Sequence, residues 1–156
     1  MSDGTHSTPK YVTSGIPFIS VKDISGGKLS FNNCKYISET EHRDLYTRCD
    51  PKQGDILLTK VGTTGIPVIV DTQEEFSLFV SVALLKFNQN MLYNEFLIHL
   101  INSPLVQKQV DENTRGVGNK NWVMRDIAHT LICVPPLAEQ YRIVSKIVDT
   151  FDHITF

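Results

Sequence analysis

The sequence predicts an α/β (α+β) fold, and three observations lead to this class. Short apolar segments bounded by glycine and proline fill the first half of the chain, as expected for β-strands. From Met91 the apolar residues recur at helical spacing, and an amphipathic helix is predicted after Pro136. The third observation is size, because 156 residues that are 41% hydrophobic and 21% charged can bury one core.

The predicted strands begin with residues 16–31, where two short strands flank a double-glycine turn. Residues 56–61 form the next strand, and residues 66–70 return from the glycine turn that follows it. Pro67 places this return strand at a sheet edge or bulge, since proline cannot donate a ladder hydrogen bond.

A longer strand is predicted over residues 76–87, because its even-numbered positions up to Leu84 are all apolar. Its odd-numbered positions mix serine with apolar residues, so this strand is expected to lie centrally and to bury one face more than the other. Residues 130–134 are predicted as the last strand, which ends at Pro135.

The predicted helices have recognisable start signals. Ser38 and Glu41 match a capping box, in which the serine hydroxyl accepts from the third backbone N–H and the glutamate reaches back. Apolar residues four apart predict a second helix that ends near Asn102, and Ser103-Pro104 is typical of a fresh N-cap with a first-turn proline. Residues 124–127 are expected to form a helical turn.

Catalytic motifs are absent from the sequence. It contains no GxxxxGK[ST] phosphate loop, no GxGxxG, no HExxH and no GxSxG. Histidine and cysteine show no zinc-ligand spacing, so no metal is expected. Cys34, Cys49 and Cys133 are odd in number and lack CxxC pairing, which favours buried thiols in a reducing compartment. These features predict a binding protein, and the formal net charge of -2 neither favours nor excludes nucleic acid.

Targeting signals are not apparent either. The longest apolar run is too short to span a membrane, and the N-terminal residues lack the apolar core of a signal peptide. A cytoplasmic location, without membrane association, is therefore expected.

Several short motifs occur in an order that resembles a target-recognition domain of a type I restriction–modification DNA-specificity subunit. These motifs are DGTHSTP (3–9), GIPFI (15–19), GDILL (54–58), GTTG (62–65), TRG (114–116), Lys120-Asn121 and PPLAEQ (135–140). Each is weak alone, but together they extend over nearly the whole chain. PPLAEQ followed by an amphipathic helix is the strongest of them.

The resemblance implies a twisted, partly rolled mixed β-sheet with flanking helices. Residues 1–136 would be the DNA target-recognition domain, and residues 137–156 the start of a conserved spacer and dimerisation helix. In that family a domain begins upstream with a further strand and a subunit carries two recognition domains. The chain is therefore expected to be a half-subunit, a fragment or an engineered piece.

The resemblance also implies a division of labour, in which this chain has no catalysis and no cofactor of its own. Partner methylation subunits would hold S-adenosylmethionine and methylate adenine N6, and a restriction subunit would use ATP and Mg. Double-stranded DNA would be the ligand, and this chain would read one half of a bipartite site.

Three segments are predicted to meet DNA because they combine cations, hydroxyls, amides and glycine. The loop of residues 113–122 is the first, the turn after residue 60 is the second, and the N-terminal segment is the third. Their candidate residues are Arg115, Asn119, Lys120 and Asn121; Lys60, Thr63 and Thr64; and Thr5, His6 and Lys10. Trp122, which closes the first loop, is expected to pack in the core.

The helix after Pro136 carries an apolar stripe at spacings of four and three, which is a heptad pattern. Its members are Leu137, Tyr141, Val144, Val148 and Phe151. Such a stripe either docks on its own domain or pairs with a second helix, and the even 3.5-residue period favours an external partner. The partner would be a second recognition domain or a second copy of this chain.

Three alternatives remain open from the sequence. The chain could be the recognition end of a fused restriction–methylation enzyme whose active domains are absent. It could be a protein-interaction domain whose loops bind another protein. A free-standing hydrolase built on Cys34 or Cys49 is the least favoured alternative.

Overall fold

A computed structural model describes residues 1–154, which form eight short strands and five α-helices. The strands are β1 (Ser2–Asp3), β2 (Tyr11–Val12), β3 (Ile16–Ile19), β4 (Lys35–Ile37), β5 (Ile56–Thr59), β6 (Pro67–Ile69), β7 (Ser77–Leu78) and β8 (Val82–Leu85). The helices are α1 (Glu39–Tyr46), α2 (Asn94–Ile101), α3 (Pro104–Asn113), α4 (Met124–Ala128) and α5 (Leu137–Ile154). Thr155 and Phe156, the end of the predicted segment 137–156, lie outside the described residues.

The strands divide between two four-stranded sheets. The first has the order β1-β8-β5-β6 and is antiparallel throughout. The second has the order β2-β4-β3-β7 and is mixed, because β3 and β7 run parallel. The predicted α/β class, with flanking helices and a C-terminal helix, is confirmed.

The first sheet is buried on both faces. Leu57 and Leu84 point into a core shared with the second sheet, whereas their neighbours Leu58 and Ala83 point into a core shared with the helices. Successive strand residues face opposite sides of a sheet, so a strand between two layers is apolar at every position. This explains why all four residues of β5 are buried.

Residues 16–31 do not form the predicted pair of strands. Only the first strand forms, as β3, and its antiparallel partner is β4. Between them Ser20 and Asp23 cap a 3-10 helix over Val21–Asp23, with the Asp23 carboxylate accepting from the Ser20 N–H at 2.8 Å. These local hydrogen bonds compete with strand formation. The spacing of Ser20 and Asp23 is the sequence signal for this cap, and it was not used in predicting two strands.

Residues 76–87 form two strands, β7 and β8, in different sheets, so the prediction of one long strand is wrong. The chain turns where the Val82 N–H donates to the Phe79 carbonyl at 3.0 Å. Ser81 is buried at this corner, and its hydroxyl accepts from the Val21 N–H at 3.0 Å. The buried serine therefore marks the passage between sheets and does not belong to a continuous strand.

The predicted strand over residues 130–134 is also wrong. This segment is irregular, and Leu131 and Val134 are exposed. The Gln109 side chain takes the place of a neighbouring strand, since it accepts from the Leu131 N–H at 2.8 Å and donates to the Leu131 carbonyl at 2.9 Å.

Other predicted elements are present. Ser38 caps α1, and its hydroxyl accepts from the Glu41 N–H at 3.2 Å, although the Glu41 carboxylate accepts from the Lys10 N–H instead of reaching back. Strands β5 and β6 form the predicted hairpin, and Pro67 lies on the edge strand. Helices α2, α3 and α4 follow in the predicted order.

Gly4 provides a test of how closely the two sheets approach. A Cβ at this position would lie 2.1 Å from the Leu78 carbonyl oxygen, whereas one at Gly26 would meet nothing within 4 Å. We expect Gly4→Ala to lower the free energy of unfolding in urea by about 2 kcal/mol or more, because neither backbone can yield easily. Gly26→Ala is the control and should change it by less than about 0.5 kcal/mol. Equal effects of the two substitutions would contradict this explanation.

Candidate nucleic-acid interface

Two of the three predicted surfaces form one continuous structure. The Gly62 N–H donates to the Lys120 carbonyl at 2.8 Å, and Val61 pairs with Asn121 in an antiparallel bridge. The Trp122 N–H donates to the Lys60 carbonyl at 2.8 Å. The turn between β5 and β6 is thus joined by main-chain hydrogen bonds to the loop of residues 113–122.

That loop is itself a small hairpin. Arg115 and Asn121 exchange two backbone hydrogen bonds of 3.0 and 2.8 Å, and Gly116 turns the chain with a φ of 104° that favours glycine. Asn119 and Lys120 are exposed near the tip. Among the described residues, no hydrogen bond or ion pair occupies the Lys120 ammonium, so its charge is available to a ligand.

Trp122 lies at the base of the loop with 2% of its surface exposed, in the core between the first sheet and the helices. Its predicted core position is confirmed. Asn121 beside it is half-buried. Within the described part of the chain, the buried side-chain polar atoms without a hydrogen-bond partner are Asn121 Oδ1, Trp122 Nε1 and Asp126 Oδ2.

All three unpaired atoms lie within six residues of one another, directly behind the exposed loop. Leaving a buried polar group unpaired costs about 1–3 kcal/mol, so structures contain few of them. A bound water, a partner or a small rearrangement of the loop supplies the missing hydrogen bonds at such positions.

Asp126 links the loop to α4 through two arginines. Its Oδ1 lies 3.3 Å from Arg125 Nε, and its Oδ2 lies 3.8 Å from Arg115 Nη2. The Asp126 side chain is 12% exposed, whereas both arginine side chains are 71% exposed. The carboxylate is therefore inside and the two guanidinium groups face solvent.

Lys60 occupies a different position from the one that the sequence predicts for a phosphate ligand. Its side chain is 6% exposed, and its ammonium lies 3.1 Å from Asp3 Oδ2 and donates to the Val80 carbonyl at 3.2 Å. A buried charge needs such a partner, because desolvation is costly. In this arrangement the Lys60 ammonium is paired within the protein, and its role as a DNA ligand stays a prediction.

The two threonines of the turn face outward to different degrees, with Thr63 exposed and Thr64 half-buried. The turn is held by the Gly65 N–H, which donates to the Thr59 carbonyl at 2.9 Å. The preceding Gly62 joins this turn to the loop of residues 113–122, and a phosphate contact by the two threonines stays a prediction.

The N-terminal segment is tied to the same region through Asp3. His6 Nε2 lies 3.2 Å from Asp3 Oδ2, the oxygen that also faces Lys60. Thr5 is held by backbone hydrogen bonds to Leu78 and Val80. Lys10 lies apart from this group, because its N–H donates to Glu41 on α1.

Arg48 is a neighbour that the sequence reading missed. Its guanidinium donates to the carbonyls of Asp3 and Gly4 at 2.8 and 2.6 Å and lies 3.3 Å from Asp3 Oδ1. No sequence motif marks Arg48, because its partners are 44 and 45 residues away.

Helix α5 places its predicted stripe on two faces. Val144 is buried and Leu137 is half-buried, whereas the other three members are exposed: Tyr141 at 50%, Val148 at 49% and Phe151 at 64%. The stripe therefore contributes both to docking on the domain and to an outward apolar surface.

Gln140 anchors α5, and the sequence reading did not single it out as a site residue. It is fully buried; its carbonyl oxygen accepts from the Tyr93 N–H at 2.8 Å, and its amide donates to the carbonyls of Met91 and Pro135, each at 2.9 Å. A buried amide with three such bonds fixes the start of the helix against the domain.

Cys34 and Cys49 do not support a nucleophilic site. Both are buried as predicted, whereas the prediction is wrong for Cys133, which is exposed. Burial raises the pKa of the Cys49 thiol, although Ser2 donates to its sulfur. A thiol with a raised pKa is a poor nucleophile near neutral pH. In the part of the chain that the structure describes, no helix combines the length and apolar composition needed to cross a membrane.

Comparison with known proteins identifies the family. The profile of the type I restriction modification DNA specificity domain matches residues 5–156, so the chain belongs to this family. The specificity subunit of the EcoBI type I restriction enzyme from Escherichia coli is 28% identical over 141 residues, which are 90% of this chain and 29% of that protein.

Solved structures share the fold. The HsdS subunit of Thermoanaerobacter tengcongensis matches with a TM-score of 0.64 and 20% identity, over 94% of this chain and 37% of that one. The S subunit of a type I restriction-modification system from M. genitalium matches with a TM-score of 0.60 and 13% identity, over 97% of this chain and 36% of that one. The chain thus spans about a third of the length of these relatives.

The role of Lys60 can be tested by its removal. We expect Lys60→Ala to lower the free energy of unfolding in urea by about 1–3 kcal/mol, because Asp3 loses its buried partner and keeps only the exposed Arg48 and His6. Lys28→Ala, which removes an exposed lysine, should change it by less than about 0.5 kcal/mol. A Lys60→Ala variant as stable as the Lys28→Ala control would contradict a structural role for this lysine.

Proposed function

We propose that the chain is a non-catalytic DNA-recognition module of a type I restriction–modification system. It would read one half of a bipartite site in double-stranded DNA and direct partner subunits that methylate adenine N6 and cut DNA. The observation that carries the proposal is the family match over residues 5–156.

The geometry supports DNA as the ligand. The cations of residues 113–125 are Arg115, Lys120 and Arg125, and Asp126 beside them offsets one of these charges, so the local cluster has a net charge of about +2. All three side chains are exposed on one loop and the helix behind it. A protein with a net charge of -2 can bind a duplex through such a local cluster, because affinity depends on the phosphates neutralised locally.

The cofactors of the system are assigned to partner chains. S-adenosylmethionine would be held by methylation subunits, and ATP with Mg by a restriction subunit, in the cytoplasm. This chain would direct the partner methylation and restriction subunits to the correct DNA sequence. The family match favours this role over a fused enzyme or a protein-interaction domain.

Binding to a duplex with a randomised core tests the proposal. We expect fluorescence anisotropy to report binding whose logarithm falls with log salt at a slope of about -3 to -5, or roughly 0.9 per phosphate. Sequencing the bound fraction should recover a short enriched motif. Absence of both binding and enrichment at low salt, with the chain folded by circular dichroism, would contradict the proposal.

Lys120 is the sharpest single test of the loop. Lys120→Ala should weaken binding about fivefold to tenfold at 0.1 M salt and reduce the magnitude of the salt slope by about 0.9, because one phosphate contact is lost. Lys28→Ala is the matched control, since Lys28 is exposed beside β6 and α2, on another part of the surface. Unchanged affinity and slope in Lys120→Ala would remove the loop from the interface.

We further propose that the exposed part of the α5 stripe pairs with a second recognition domain or a second copy of this chain. Val148 suits a test because it is 49% exposed, whereas Val144 is buried and its replacement would disturb the domain. Val148→Glu should lower self-association in sedimentation equilibrium at least about tenfold, because it places a charge in an apolar contact. Ala138→Glu, at an exposed position outside the stripe, should have little effect. A strict monomer at high concentration would contradict self-association.

A further inference from the structure

Two residues behind the loop, Arg125 and Asp126, were not among the residues predicted to meet DNA. Asp126 lies between Arg125 and Arg115, with oxygen-to-nitrogen distances of 3.3 and 3.8 Å. Both guanidinium groups are mostly exposed, while the carboxylate is mostly buried. The mostly buried Asp126 carboxylate therefore lies behind two arginine side chains whose guanidinium groups face solvent.

The carboxylate would be a disadvantage in a site that only neutralises phosphates. A negative charge next to a phosphate-binding arginine repels the phosphate and lowers the net charge of the group from +2 to +1. An acidic residue is useful where the orientation of the guanidinium plane matters, because a carboxylate restricts how that plane can turn.

The geometry of Asp126 Oδ2 supports the same conclusion. This oxygen is buried and has no hydrogen-bond partner, and Arg115 Nη2 at 3.8 Å is too far to donate one. A small movement of Arg115 would complete the bond. Arg115 is attached to a loop whose tip is exposed, so contact with a ligand can supply that movement.

We propose that Asp126 is a positioning residue that orients Arg115 and Arg125 toward a guanine edge in the recognised sequence. Guanine presents two acceptors, O6 and N7, in the major groove, and a planar guanidinium can donate to both. This inference rests on the proposed function, because it assigns the specificity of the same loop.

The test compares wild-type protein with Asp126→Asn, on the enriched duplex and on a random duplex. Simple electrostatics predicts that removal of a negative charge tightens binding to both duplexes. A positioning role for Asp126 predicts instead that Asp126→Asn weakens binding to the enriched duplex and does not weaken binding to the random duplex. We expect the ratio of the two affinities to fall roughly tenfold, in line with the loss of one bidentate base contact.

Asp111→Asn is the matched control, because Asp111 is exposed on α3 and the substitution is chemically identical. It should leave the affinity ratio unchanged. Arg115→Lys, which keeps the charge but loses the planar donor group, should lower the ratio as Asp126→Asn does. The double variant should lose little more than either single variant.

The affinity ratio separates positioning from a general loss of structure. A smaller folded fraction lowers both affinities equally and leaves their ratio unchanged. Equal loss on both duplexes, or tighter binding to both with the ratio preserved, would overturn the inference for Asp126. Failure of the wild-type protein to bind or enrich any duplex would instead overturn the proposed function.

Discussion

The buried ion pair between Lys60 and Asp3 is the interaction on which the candidate interface depends. The Lys60 ammonium faces Asp3 and the Val80 carbonyl, while its main chain bonds to Ser81 and Trp122. One residue thereby joins the N-terminal strand, the turn between the two sheets and the base of the loop of residues 113–122. Because a buried charge without a partner is costly, these segments are held in one arrangement.

The sequence predicted those parts of the fold that local chemistry determines. The β5–β6 hairpin followed from its glycine turn, and the start of α1 from Ser38. Long-range pairing determines the rest. Apolar periodicity could not reveal that Ser81 bonds to Val21, 60 residues away, or that Gln109 bonds to the main chain of Leu131. Both contacts supply hydrogen bonds that a strand would otherwise obtain from a sheet.

In the candidate site, too, local composition predicted some features and long-range contacts determined the others. Glycine, amide and cationic residues located the loop of residues 113–122, because composition is sufficient to identify an exposed polar hairpin. Composition could not separate Lys120, whose ammonium is exposed, from Lys60, whose ammonium is buried. That difference depends on Asp3, which is 57 residues away from Lys60 along the chain. Asp126 was missed because Arg125 is its neighbour in sequence but Arg115 comes beside it only in the fold.

The hydrogen bonds of Gln140 attach the start of α5 to the domain. Its partners are all main-chain groups, at Met91, Tyr93 and Pro135. Because Gln140 bonds to main-chain groups, these hydrogen bonds do not require particular side chains at Met91, Tyr93 or Pro135. Substitutions among the side chains of the candidate interface would therefore leave these main-chain bonds, and the attachment of α5 that they provide, unchanged.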